Sequence, residues 1–218
     1  MKALDLFCGA GGAAVGLKRA WPDAEITGVD IAPMPRYPFR FVQADAMTFD
    51  LSGYDFIWAS PPCQGYSRLR NLPRLQNRVY PMLIPAVREM LQSSRADWCI
   101  ENVEDAPLLS PFVLCGWSLG LPLYRHRRFE SNKLLLAPPH VKHPVPIFRS
   151  RYLNKRYGES GGVIGIVGHT SGDGTRRAGE ALGIDWMTRN ELCQAVPPAY
   201  AEYIARQIRP AAAAGAGG

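Results

Sequence analysis

The chain has no apolar run approaching the roughly 20 residues that a helix needs to span a bilayer, although 47% of its 218 residues are hydrophobic. It also lacks a basic, apolar and small-residue leader at its start, so the expectation is a soluble, cytoplasmic protein. Five scattered cysteines, Cys8, Cys63, Cys99, Cys115 and Cys193, include no CxxC, and no Cys/His pair has zinc spacing. A disulfide framework and a metal site are therefore not expected, and each reduced thiol is read as a core residue or a reactive group. No internal repeat is present. With 20% charged residues the composition is that of a globular protein rather than a disordered one. The length suits one domain with a small insertion.

Acid is missing from two stretches. Between Gly65 and Arg78 there are four arginines and no acid; between Arg125 and Arg156 there are nine Lys/Arg against Glu130 alone, within a net charge of +6. Cation excess concentrated in this way points towards a polyanion, nucleic acid above all.

What is present alternates. "KALDLF", "AEITGVD", "FRFVQAD", "YDFIWAS" and "ADWCIENV" read as short buried strands. "AAVGLKRAW" and "VYPMLIPAVREMLQSS" carry helical spacing, with Pro81 and Pro85 blurring the start of the second. This order predicts an α/β fold, an open and mostly parallel sheet with helices on both faces. Asp30, Asp45, Ser60 to Gln64 and Glu101-Asn102 each stand where a strand ends. In such a sheet the ligand crevice lies outside the carboxyl ends of the strands, so these residues are expected to share one cleft. From about Asn132 to Asp185 proline clusters and a glycine-rich run replace the alternation, which reads as an inserted lobe or long loops. "VPPAYAEYIARQI" then reads as an amphipathic helix behind prolines, and the tail 210–218 as disordered.

The turn "DLFCGAGG" allows close approach of a ligand to the backbone, and Asp30 could accept ribose hydroxyls; a dinucleotide, another adenosine cofactor or plain strand-helix packing would each fit. Cys63 is the cysteine with chemistry around it. Pro61 and Pro62 stiffen the chain before it, and arginines follow, a field expected to lower a thiol pKa and favour the nucleophilic thiolate. Glu101, desolvated at a strand end, can carry a raised pKa and share a proton. Arg125 and Arg127, two apart in "YRHRRFES", would project from one face of a strand and could hold a carbonyl oxygen or phosphates.

Taken in order, "DLFCGAGG", "SPPCQGYS", "ENV" and "RHR" resemble the cytosine-C5 DNA methyltransferases. The likeness covers roughly Met1 to Ser131 and resumes at "QAVPPAYAEYIARQI". It implies a Rossmann-like S-adenosylmethionine-dependent methyltransferase fold, with a discontinuous catalytic domain at 1–131 and 186–209 and a short target-recognition region at 132–185. It implies S-adenosylmethionine as cofactor, held by Phe7, Gly9, Gly11, Asp30 at the ribose, Asp45 at the adenine, and Pro61. Cys63 would add to C6 of a cytosine flipped out of duplex DNA, Glu101 would protonate N3, and Arg127, helped by Arg125, would bind O2. Gln64, Ser67, Arg68, Arg70 and Asn102 would contact DNA or orient the loops that do, the segment from Gln64 to Arg78 closing over it. A monomer is expected.

Three departures from the family pattern stand out: Leu123 where a glutamine is usual, Gln194 where an asparagine is usual, and the shortness of the recognition region. The last implies short or relaxed sequence specificity. Relatives of this motif set also modify tRNA, which is the alternative substrate. A non-catalytic DNA-binding descendant is a further alternative, against which the intact Cys63, Glu101 and Arg127 stand. A nicotinamide dehydrogenase would explain the glycine turn and nothing else.

Overall fold

A computed structural model describes residues 1–67, 79–143, 147–148, 163–164, 166 and 173–208. Arg68, Arg70, the rest of the basic stretch to Arg78 and the tail 210–218 lie outside the described residues. Five strands run in the order in which the sequence presents them: β1 (Lys2–Leu6), β2 (Glu25–Asp30), β3 (Arg40–Gln43), β4 (Phe56–Ala59) and β5 (Asp97–Asn102). Two more follow, β6 (Phe112–Leu114) and β7 (Arg127–Ser131), completing a seven-stranded sheet of order β3-β2-β1-β4-β5-β7-β6. The pairs among β1 to β5 are parallel, whereas β7 runs antiparallel to both β5 and β6. This is the α/β architecture the alternation predicts, with an antiparallel edge.

Burial on both faces explains the near-continuous apolar strands. Side chains alternate across a strand, and here the alternation sorts two cores. Ala3, Phe56, Trp58 and Cys99 face the helices α1 (Gly12–Ala20) and α5 (Pro198–Ala205), while Leu4, Leu6, Ile57, Ala59 and Ile100 face α2 (Ile84–Ser93). Pro85 lies in the first turn of α2, where no intrahelical N–H is needed, and Pro81 precedes the helix. The chain crosses from β1 outward to β2 and β3, then returns to β4 on the other side of β1. That reversal opens a crevice above β1 and β4.

The chain after β7 supplies a third cluster. Helices α3 (Asp173–Leu182) and α4 (Arg189–Gln194) pack Ala178, Ala181, Leu182 and Leu192 against Cys115, Leu123 and Tyr124. The short parallel pair β8 (Ile147–Phe148) and β9 (Val163–Ile164) belongs to the same region. Thr188 and Glu191 close a capping box at the start of α4, and Trp186 Nε1 donates to the Ala10 carbonyl at 2.8 Å, tying this region to the glycine turn. Among the described residues, no helix is long and apolar enough to cross a membrane.

Candidate active site

Beyond Leu6 the backbone turns through three left-handed residues, Phe7 (φ 55°), Gly9 (φ 49°) and Gly11 (φ 86°), before α1 begins. The non-glycine at Phe7 is the costly one, since a Cβ is disfavoured there. Asp30, at the end of β2, holds the turn: its Oδ2 accepts from Gly9 N–H at 3.1 Å and its Oδ1 from Ala32 N–H at 3.0 Å. Gly11 is needed for the space around it, because a Cβ there would sit 2.6 Å from Pro38 Cδ. Asp45 caps an exposed turn through Met47 N–H.

One cavity of about 460 Å³ opens over this turn. Phe7, Gly9, Asp30 and Pro61 line it, and so do Cys63, Gln64, Glu101 and Arg127. Gly11, Asp45, Ser67, Asn102 and Arg125 are not among its lining residues. Its far wall comes from the C-terminal part of the chain, where Met187, Asn190, Gln194 and Val196 reach it.

The loop bearing Cys63 is fixed from behind. Asn102 Nδ2 donates to the Pro61 carbonyl at 2.8 Å, and the Cys63 carbonyl accepts from the N–H groups of Tyr66 and Ser67. Tyr66 Oη accepts from Ile84 N–H, so the loop also meets the first residue of α2. Glu101 is buried on β5, its Oε1 accepting from Arg127 Nε at 2.9 Å. Its carboxyl also hydrogen-bonds with Ser60, whose Oγ accepts from the buried Trp58 Nε1 at 2.9 Å. A chain of polar contacts thus runs from the core to the carboxyl that faces the cavity.

Burial pushes the Glu101 carboxyl above its usual range, with Arg127 opposing. Cys63 departs from the sequence expectation. Its thiol is pushed up, not down, first by burial and then by the Glu101 charge, and Arg127 and Arg125 only partly offset them. The arginines that follow it in sequence lie outside the described residues. Arg125 departs too. Strand β7 starts at Arg127, so the two arginines do not share a strand face. At φ 20° the chain turns Arg125 away, and its Nη2 donates to the Cys193 carbonyl at 2.7 Å while its own carbonyl accepts from Tyr200 Oη. Desolvation and the neighbouring Arg127 bring its pKa down to about 10.

Asp5, inside strand β1, also lines the cavity. It is 1% exposed, its Oδ2 accepts from Tyr37 Oη, and the Ala14 N–H also points at the carboxyl, though too loosely to satisfy Oδ1. Burial raises its pKa well above the ordinary carboxylate value. An acid inside the apolar run "KALDLF" was the available signal.

Comparison with known proteins adds three likenesses. No protein-family model matches the chain. The tRNA (cytosine(38)-C(5))-methyltransferases of Homo sapiens and Bos taurus are 28% and 29% identical to it over 170 residues, covering 63% of this chain and 44% of each relative. The chain therefore matches less than half the length of these curated relatives. A methyltransferase of Entamoeba histolytica superposes with a TM-score of 0.55 at 13% identity, over 93% of this chain and 96% of that one. At that identity the shared property is the fold, the Rossmann-like one of S-adenosylmethionine-dependent methyltransferases.

Proposed function

We propose that this chain is an S-adenosylmethionine-dependent methyltransferase acting on C5 of a cytosine in nucleic acid. The observation that carries the reading is the single cavity lined together by Asp30, Cys63, Glu101 and Arg127. A nucleophile, a proton-sharing acid and a cation meet there beside a carboxylate suited to a nucleoside.

The residues present fit the cofactor. A cavity of about 460 Å³ is in the range of small-molecule sites. Asp30 keeps acceptor capacity for ribose hydroxyls beyond its two backbone contacts, and Phe7, Gly9 and Pro61 supply walls. The buried Asp5 carboxyl lines the same cavity, and its Oδ1, met only loosely by the Ala14 N–H, is an acceptor to which the amino group of a methionine moiety can donate. When bound, S-adenosylmethionine supplies a methyl group on an electrophilic sulfonium.

The chain's own residues would do the rest. Cys63, once its thiol proton has passed to solvent, forms a bond from sulfur to C6 of the cytosine as Glu101 delivers its proton to N3, and the ring electrons collect at C5. Arg127, its Nε on Glu101, holds that carboxyl in register and opposes the charge that develops at O2. With a methyl group on C5, loss of the C5 proton to solvent restores the double bond and expels the Cys63 thiolate, and the N3 proton returns to Glu101. Asn102 positions the loop through Pro61 and takes no part in the bond changes. A base stacked in a duplex cannot reach Cys63, so the cytosine must leave the stack.

Duplex DNA is the polymer that the motif set implies. The names of the human and bovine relatives favour tRNA as a second reading of the same chemistry. Incubation with methyl-labelled S-adenosylmethionine and either polymer separates them. Label is expected on C5 of cytosine in one of the two, and Cys63→Ser is expected to reduce it by at least about 10³-fold. Folded protein that binds the cofactor yet labels neither polymer would overturn the proposal in favour of a binding-only descendant.

A further inference from the structure

Linear spacing gives no reason to expect a metal, but folding brings together four side chains from three separate segments of the chain. Cys115 follows the last residue of β6, His126 directly precedes β7, and His140 and His143 lie on the segment after β7. Their ligand atoms all fall within 4.8 Å of one another. The geometry points to a structural zinc site formed by Cys115, His126, His140 and His143, apart from the cavity described above.

The distances suit the ion. Zinc bound at about 2.3 Å to sulfur and about 2.0–2.1 Å to nitrogen has tetrahedron edges of roughly 3.3–3.6 Å. Cys115 Sγ lies 3.4 Å from His143 Nε2, and His126 Nε2 lies 2.9 Å from His140 Nε2. The remaining edges are no longer than 4.8 Å, so side-chain shifts of roughly 1 Å bring them to tetrahedral lengths. One thiolate and three imidazoles form a donor set for zinc rather than for magnesium or calcium. Four protein ligands leave no position open, which makes the role structural.

The surroundings complete the arrangement. Glu104 Oε1 lies 3.8 Å from His126 Nδ1, so the outer nitrogen of that ring faces a carboxylate and Nε2 turns inward. The backbone N–H groups of Trp117 and Ser118 hydrogen-bond to the Cys115 side chain, and Tyr124 stacks on His143 at 3.6 Å. A zinc ion, the Cys115 thiolate and the Glu104 carboxylate sum to zero charge. Cys115 is buried and His140 is exposed, which gives a closed base and a path of entry. Leu114 pairs with Arg127 across β6 and β7, so the ion would clamp both strands beside the residue that holds Glu101.

The full chain, purified without a polyhistidine tag, tests this by elemental analysis and cobalt substitution. One zinc per chain is expected, and His140→Ala and Cys115→Ser should each lower the content to below about a tenth, while Cys193→Ser keeps it. After chelation, Co(II) should restore a thiolate-to-metal charge-transfer band and the intense visible bands of a tetrahedral site. Because Cys115 is buried, its variant is read beside His140→Ala, whose ring is exposed, and beside the wild-type cobalt spectrum. A folded wild-type chain that holds no zinc and takes up no cobalt overturns the site. So does zinc retained by both variants.

Discussion

At Cys63 burial and the Glu101 carboxylate raise the thiol pKa while Arg127 lowers it, and the first pair prevails. The nucleophile is therefore held back until the charge on Glu101 is neutralised, which the proposed proton delivery to N3 requires in any case. Glu101→Gln removes that charge. It should slow methyl transfer by about 10²–10⁴-fold, yet raise the rate at which iodoacetamide alkylates Cys63 at neutral pH, read by peptide mass mapping. In the wild type that rate should go on climbing above pH 9.0, the ordinary thiol value. Unchanged alkylation in the variant would uncouple the two groups. Asp5 gives a second test. Its folded-state pKa is raised, so the native chain binds more protons than the unfolded one, and stability falls as pH rises from the ordinary value of 3.8. Asp5→Asn escapes that loss. Its advantage in thermal melts should be small below pH 4 and grow towards pH 8. Affinity for S-adenosylhomocysteine should fall about tenfold, because asparagine keeps an oxygen acceptor but cannot become a carboxylate facing the amino group of the ligand.

Helices α1 and α5 meet at glycine. A Cβ on Gly16 would lie 2.1 Å from the Pro198 carbonyl oxygen and 2.9 Å from Ala201 Cβ, so backbone rather than a flexible side chain would have to move. Gly16→Ala is expected to lower stability by about 1–3 kcal/mol in denaturant melts, as overpacking does. Gly16 does not line the cavity, so S-adenosylhomocysteine binding should survive. The elements themselves were legible to different depths. Strands β1 to β5 were readable because apolar runs ending in Asp30, Ser60 or Asn102 can be little else in an alternating chain. Strand β7 was misjudged at its start, since nothing local reveals that Arg125 turns at φ 20° to meet the Cys193 carbonyl. Helices α3 and α4 went unread because their apolar residues face Cys115, Leu123 and Tyr124, partners supplied only by tertiary contact.

For the molecule as a whole, the parallel sheet gathers residues that sequence order keeps apart. Cys63 and Glu101 were legible because each sits at a strand end, and strand ends converge in this fold. Asp45 also ends a strand but lies on an exposed turn, because β3 is the sheet's outermost strand and the crevice opens over β1 and β4. The cluster of Cys115 with three histidines was illegible for the opposite reason: only His140 and His143 are close in sequence, and the sheet's antiparallel edge supplies the rest. The basic excess was visible as a count, but part of it is spent on ion pairs within the chain: Arg127 meets Glu101 and Arg88 meets Glu130 inside the fold, and Lys133 meets Asp97 at the surface. If Cys63 attacks cytosine in the cavity lined by Asp30, Glu101 and Arg127, it should be trapped on duplex DNA or on tRNA carrying 5-fluorocytosine, whose C5 has no proton to lose. The expected product is a denaturation-resistant adduct that forms with one of these polymers, needs S-adenosylmethionine and maps to Cys63. An adduct that persists in Cys63→Ser, or none from folded protein with either polymer, would contradict that attack.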